Sequence, residues 1–494
     1  LVLSRIDAAA ERPRRTMKVA SVVGRVFEAP ILPGAYRELG SLDEVLEDLD
    51  ALRVLDLVGL DREADQAWMF KHMVTQEVTY ESLPFALRGV LHGLVGDYIE
   101  RTEAEDLERH VPLLEHHYWR SDREDKKREY LRRAAELAQA SYANNAAIAY
   151  YERLIPLLEG SGAVEEAIRF GEVLQLVGNI ARAEAVVSEA RDLAVRIDDA
   201  RAVARCDHSL AESARRLSRF DEAIEMLAQA RAGFQSVGDD AGVADTLQVA
   251  GNVRSQRGDA EGARAAYEAG LEIRERLGIH SGVAALLNNL GIAAIQLGDM
   301  AGARGFAERA LRLYTDLGDH RRIVSCEINL GWMDGMTGDH PGAIRHCQEA
   351  IRLATEVGDR LNLANAQNNL GDALRDMGRL GEAGSAYAAA AEAYRDVNEL
   401  WSLMALLEDV SILSARAGRP VDAFTLLGAA DALRVELGAA RPPAREEEIA
   451  GELATARAAV GELGADGARD RGRELGLEAA LDLTISSAAA ASPA

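Results

Sequence analysis

Cysteine is nearly absent from this chain of 494 residues: Cys206, Cys326 and Cys347 are all it has. They form no CxxC pair and no disulfide framework, which fits a reducing cytosol. Lysine is scarcer than arginine to an unusual degree, occurring only at Lys18, Lys71, Lys126 and Lys127. With the high alanine content, this reads as a coding bias more than a functional choice. None of the four lysines follows a glycine, so the phosphate-cradling pattern Gly-x-x-x-x-Gly-Lys-Ser/Thr is missing. Proline is rare, at 11, and aromatics supply only 5% of residues, although hydrophobic residues make up 48%. Alanine and leucine therefore carry most of the burial, as closely packed helices require. No uninterrupted apolar stretch reaches about 18 residues, which excludes a membrane span, and no signal peptide is recognisable. Positive charge is also short. The net charge of -25 repels phosphate backbones and anionic lipid, so broad nucleic-acid or membrane binding is disfavoured.

What is present is a repeat. Gly178, Ser218, Gly258, Gly298, Gly338, Gly378 and Gly418 are spaced by 40 residues, as are Ala183, Ala223, Ala263, Ala303, Ala343, Ala383 and Ala423. Gly238, Gly278, Gly318 and Gly358 form a third series, with Asn398 and Gly438 in register. A fixed period of this length marks stacked helix pairs, each packing only on its neighbours. Residues 281–320 are typical. One helix is expected from about Ser281 to Leu297 and a second from about Met300 to Leu317. Between them Gly298 accepts a positive φ and Asp299 caps the next helix. Gly291 and Ala303 allow close approach within the pair, and Ala310 is expected to meet the next repeat. The expected fold is all-α, a superhelical solenoid with a small head. Such an array has a groove and no closed catalytic site, so the first expectation is a non-catalytic binding protein.

The head differs from the rest. Arg14 to Val23 and Leu42 to Leu57 read as amphipathic helices. Val58–Leu60, the polar turn Asp61-Arg62-Glu63-Ala64-Asp65, and Ala67–Phe70 read as a hairpin. A helix follows from about Met73 to Leu83. Helices followed by a small hairpin describe a winged-helix module, expected over 1–100. Residues 101–175 read as a helical connector containing the first helix pair, with Glu129 to Leu158 broken near Asn144. The regular array is expected over 176–438. After the linker Arg441-Pro442-Pro443, a helical segment completes 439–485, and 486–494 reads as a disordered tail. The chain begins without methionine, at Leu1, which leads to the expectation that it is a fragment of something longer.

Asn289-Leu290-Gly291, followed by Leu297-Gly298-Asp299, Ala303 and Ala310, resembles the tetratricopeptide repeat in its longer form. The pattern recurs at Asn329-Leu330-Gly331 and Asn369-Leu370-Gly371. A second resemblance is carried by Leu3-Ser4-Arg5-Ile6-Asp7, by Lys18 to Phe27, by Phe70 to Leu83, and by Arg441-Pro442-Pro443 through Leu481. These segments resemble the region downstream of the nucleotide-binding domain in bacterial signal-transduction ATPases with numerous domains, most nearly those fused to class III adenylate/guanylate cyclase domains. The resemblance implies a cytoplasmic sensor that controls an ATPase and an output module, neither on this chain. It implies ATP or ADP as cofactor of the missing domain only. Large helix-turn-helix regulators share the layout, so a transcription regulator with its DNA-binding domain elsewhere stays open. So does a plain scaffold without switching.

His72 lies between the expected wing strand and the next helix, where free N–H groups and the helix dipole suit a phosphate. The resemblance implies that it touches the β-phosphate of ADP; the alternative is a histidine that caps the helix or packs on Trp68. Asn289, Asn329 and Asn369, with Asn288 and Asn368 beside them, sit one repeat apart. Amides both donate and accept, so a row of them can hold a peptide backbone; the alternative is that they satisfy neighbouring helix backbones as part of the repeat. His110, His116 and His117 lack metal-ligand spacing and are expected to pack. His280, His320 and His340 fall in turns and are expected to be solvated. Ala444 to Ala450 faintly resembles a DNA-reading helix, but its acidity argues against that role.

Overall fold

The computed structural model describes residues 5–6, 8–61, 67–397 and 399–490. The expected turn residues Arg62 to Asp65, the repeat position Asn398, the resemblance residues Leu3, Ser4 and Asp7, and the tail residues 491–494 lie outside the described residues. The chain forms two compact units, Leu1–Val237 and Gly238–Ala494. The division falls inside the repeated region and not at residues 100, 175 or 438. In a stack where each pair packs only on its neighbours, no position along the array is a natural boundary.

The first unit opens with helices Glu11–Val23, Ile31–Ala35 and Leu42–Val54 around a small antiparallel sheet. Strands β1 (Val26–Glu28), β2 (Val58–Leu60) and β3 (Ala67–Phe70) lie in the order β1-β3-β2. β2 and β3 pair as the sequence predicts, with Leu60 opposite Trp68. β1 was not foreseen: three residues are too few to show an alternation, and it joins through Phe27 opposite Trp68. Ser41 starts the third helix with a reciprocal cap, since Glu44 N–H donates to Ser41 Oγ at 3.3 Å and Ser41 N–H donates to Glu44 Oε2 at 2.8 Å. Met17, Val45, Leu49, Phe27 and Phe70 bury the centre.

Helices Phe85–Thr102, Leu107–Trp119, Glu124–Ala140 and Asn144–Leu154 follow. The expected break near Asn144 is present, with Tyr142 at φ 57 turning the chain. Regular pairing begins with Gly160–Leu176 and Ile180–Arg196, and continues with Ala200–Arg216 and Phe220–Ser236. The array therefore starts before residue 176. The sequence hid this because the helix at 160 carries neither Asn-Leu-Gly nor a Gly-Asp entry.

In the second unit the pairs run from Asp240–Gln256 and Ala260–Leu277 to Leu400–Arg416 and Pro420–Glu436. Gly298 adopts φ 75 and Asp299 accepts the Gly302 N–H at 2.9 Å. A side chain at the Gly298 φ would be strained, so the period records a turn requirement. Ala310 is fully buried in one cluster with Ala284 and Leu287 of its own pair and Val324 of the next. Helix Pro443–Arg473 bends at Gly461, and helix Leu477–Ala489 lies against Leu380–Val397. The tail expectation is corrected over 486–489: the last helix includes these residues, and Ser487 and Ala488 are buried. Alanine-rich sequence looks low in complexity, yet alanine is what a close helix contact requires. Among the described residues no helix is long and apolar enough to cross a membrane.

Candidate functional site

The first helices of three successive pairs, His280–Gln296, His320–Met336 and Arg360–Asp376, carry Asn289, Asn329 and Asn369 at equivalent positions, all half-buried. Asn289 Nδ2 donates to Asn252 Oδ1 at 3.3 Å, Asn329 Nδ2 to Asn288 Oδ1 at 3.4 Å, and Asn369 Nδ2 to the Ile328 carbonyl at 3.5 Å. Asn368 Nδ2 donates to Asp409 Oδ2 at 3.3 Å. Every one of these bonds crosses to a neighbouring repeat; only Asn369 reaches a helix backbone, and the others meet side chains. The links are long and use one N–H each. The Oδ1 atoms of Asn289, Asn329 and Asn369 accept no hydrogen bond among the described residues, and the buried Oδ1 of Asn368 has no partner either.

Three residues after each asparagine comes a position that faces the same way: Ile292, Trp332 and Asp372. Ile292 and Trp332 are exposed, and Met336, one turn further, is exposed to 66%. Trp332, Met336 and Asn369 border a cavity of about 210 Å³ whose lining also holds six charged side chains among small residues. There Asp372 Oδ1 accepts from Tyr387 Oη at 2.6 Å and forms an ion pair with Arg375 Nη1 at 2.9 Å. Arg375 Nε also donates to Asp376 at 3.1 Å, and Arg445 Nη2 donates to Asp409 at 2.6 Å. Burial, and then repulsion from Asp409, push the Asp372 carboxyl up. The fully buried Tyr387 hydroxyl is pushed well up by burial and by Asp372. Arg445 is fixed from a second side by the buried Glu408. Burial alone would raise Glu408, but hydrogen bonds from Arg434 and Arg441 hold it below the ordinary carboxylate range. Arg445 is thus an ion-pair partner inside the fold, which gives the faint DNA-reading resemblance of its segment no free cation there.

His72 is the residue before helix Met73–Glu81, exposed, and its side chain makes no capping hydrogen bond. Its carbonyl accepts from Thr75 N–H at 2.9 Å. Beside it Lys71 pairs with Asp56. His72 belongs to the first unit and the asparagine row to the second.

The remaining histidines divide by burial. His110 Nδ1 lies 3.0 Å from the Asp106 carbonyl. His117 is fully buried, with Nδ1 3.0 Å from Nδ1 of His92, whose Nε2 lies 3.0 Å from Tyr80 Oη. His116 stacks edge-on against both rings. His92, 25 positions away in sequence, was not foreseen as part of this cluster. His280 and His320 are exposed and His340 is half-buried, and each is the first residue of a helix and not part of the turn before it. Among the described residues no group of three or more side chains could hold a metal ion.

Sequence reasoning missed Trp332, Met336, Asp372, Arg375 and Asp409. One signal was available. Asp409 stands 40 residues beyond Asn369, so the row that reads Asn289, Asn329, Asn369 ends in a carboxylate.

The sequence matches the tetratricopeptide repeat family over residues 164–236, 204–276, 282–344 and 335–396. No curated protein matches it significantly. Among solved structures, the apo form of the quorum sensor NprR from B. thuringiensis is 14% identical, with a TM-score of 0.47, covering 73% of this chain and 95% of its own. A signal transduction ATPase with numerous domains and a tetratricopeptide repeat sensor, from Pyrococcus horikoshii, is 14% identical at a TM-score of 0.45. That match covers 81% of this chain and 65% of the other. BtubC from P. vanneervenii is 22% identical at a TM-score of 0.38, covering 48% of this chain and 93% of its own. The paired helices of the matched segments are tetratricopeptide repeats, and the fold class is the all-α superhelix that such repeats build.

Proposed function

We propose that this chain is the regulatory, non-catalytic part of a signalling protein, and that it holds an extended protein or peptide segment along the first helices of its second unit. The observation that carries the reading is the asparagine row. Asn289, Asn329 and Asn369 present unused Oδ1 acceptors at one-repeat intervals, beside the exposed Ile292 and Trp332. Acceptors in a line meet the N–H groups of an extended backbone, and the apolar neighbours receive its side chains. The test is fluorescence anisotropy with fluorescein-labelled random nonapeptide pools. The variant carrying Asn289→Ala, Asn329→Ala and Asn369→Ala is expected to bind about tenfold more weakly than the wild type, equivalent to about 1.4 kcal/mol. Equal binding by the two proteins contradicts the reading.

The finer part of the proposal follows the resemblance set out above. Residues 1–100 act as a winged-helix-like head, and the array reports its state through that head to a nucleotide-binding domain and an adenylate/guanylate cyclase output outside this chain. His72 contacts the bound ADP of that domain. Its exposure and its side chain free of any cap support this role, since the imidazole is available to an anion. In the parent protein, His72→Ala is expected to speed ADP release; unchanged release removes His72 from the switch.

A further inference from the structure

The cavity at the end of the asparagine row has a charge pattern that names its occupant. Its lining holds four carboxylates, Asp372, Asp376, Asp409 and Glu448, against two guanidinium groups, Arg375 and Arg445. Neither guanidinium is free. Arg375 is 5% exposed and donates to Tyr387 and Asp376. Arg445 donates to Glu408, Asp409 and Glu448. An anion entering here meets no open donor of opposite sign. A cation meets Asp372, whose Oδ1 is taken by Tyr387 and by the ion pair with Arg375 but whose side chain is 33% exposed and whose Oδ2 receives no hydrogen bond among the described residues.

The opposite wall is apolar and partly aromatic. Trp332 is 38% exposed and Met336 66% exposed, both next to the acidic wall. An indole face beside carboxylates attracts a cation by its quadrupole, while the thioether lies along an aliphatic stem. At about 210 Å³ the cavity is smaller than the ~300–1,000 Å³ typical of small-molecule sites. It has room for one side chain.

We infer that this cavity takes a lysine or arginine side chain of the peptide segment that lies along Asn289, Asn329 and Asn369. The inference rests on the docking reading above and gives it a chemical specificity. The basic residue enters between Trp332 and Asp372, and the flanking backbone runs toward Asn329. The chain's net charge of -25 steers such a ligand from a distance.

The test uses three labelled nonapeptide pools, identical except for a fixed central Arg, Gln or Glu. The Arg pool is expected to bind about tenfold more tightly than the Gln and Glu pools, with the advantage shrinking as salt rises. Asp372→Asn removes the open carboxylate but disturbs the buried Tyr387, so two exposed positions give the cleaner variants. Met336→Lys is expected to weaken the Arg pool about fivefold and leave the Gln pool unchanged, whereas Trp332→Ala, which also removes a docking contact, is expected to weaken every pool and the Arg pool most. Equal binding of all three pools, or an Arg preference untouched by Met336→Lys, overturns the inference. If the pools bind alike and the triple asparagine variant loses them all, only the basic preference falls. If no pool binds the wild type, the docking reading falls and takes this inference with it.

Discussion

His92 and His117 share a contact that tolerates one proton between them. The two Nδ1 atoms face each other at 3.0 Å, so one ring donates and the other accepts. Burial, and then His116 and Arg120, push His92 down to about 3. Burial and His92 hold His117 well below its ordinary range. Tyr80, half-buried beneath the Arg88 guanidinium, faces the same rings. A histidine with a depressed folded pKa stabilises the fold fully above its unfolded value of about 6.5, and that stability is lost as pH falls toward the folded value. The first unit is therefore expected to lose about 1.4 kcal/mol per pH unit for each such histidine below pH 6.5. Chemical denaturation of the full chain between pH 7 and pH 5, monitored in its first unit, reads this slope. His92→Gln, which cannot take up a proton, is expected to flatten it; an unchanged slope would place the proton uptake elsewhere.

At the scale of elements, the repeat is a set of steric complements. Gly251 and Gly371 lie where the rings of Tyr267 and Tyr387 press, and a Cβ at Gly371 would sit 2.4 Å from the Tyr387 ring. At Gly331 the facing side chain is Cys347, whose sulfur would lie 2.8 Å from an added Cβ. Large and small residues thus trade places across one helix contact. This is why Asn-Leu-Gly is easily read in the sequence while its partner is not: the glycine repeats, but the facing position is Tyr, Ala, Cys or Tyr at 267, 307, 347 and 387. The Gly-Asp turns were legible because one backbone conformation recurs in each of them. The helix Gly160–Leu176 was not, since it buries Val164, Ile168 and Val173 without the Asn-Leu-Gly signature. The charged cavity was illegible for a different reason. Arg445 reaches Glu408 and Asp409 from a separate helix, and no local pattern records a pairing across 36 or more residues.

For the whole molecule, the proposed binding role rests on the array of stacked pairs. Stacked pairs bury alanine and leucine between repeats and leave one helix of each pair with a presented face. On the second unit that face carries Asn289 and Ile292, then Asn329, Trp332 and Met336, then Asn369 beside a carboxylate wall closed by Arg445. The order runs along the chain, so a ligand that follows it is extended and has a direction. The most direct measurement is hydrogen exchange by mass spectrometry on the full chain, with and without an Arg-centred nonapeptide. The account predicts slowed exchange in His280–Gln296, His320–Met336 and Arg360–Asp376, with residues 5–237 unchanged. Protection confined to the first unit, or no protection at a saturating concentration, would contradict it.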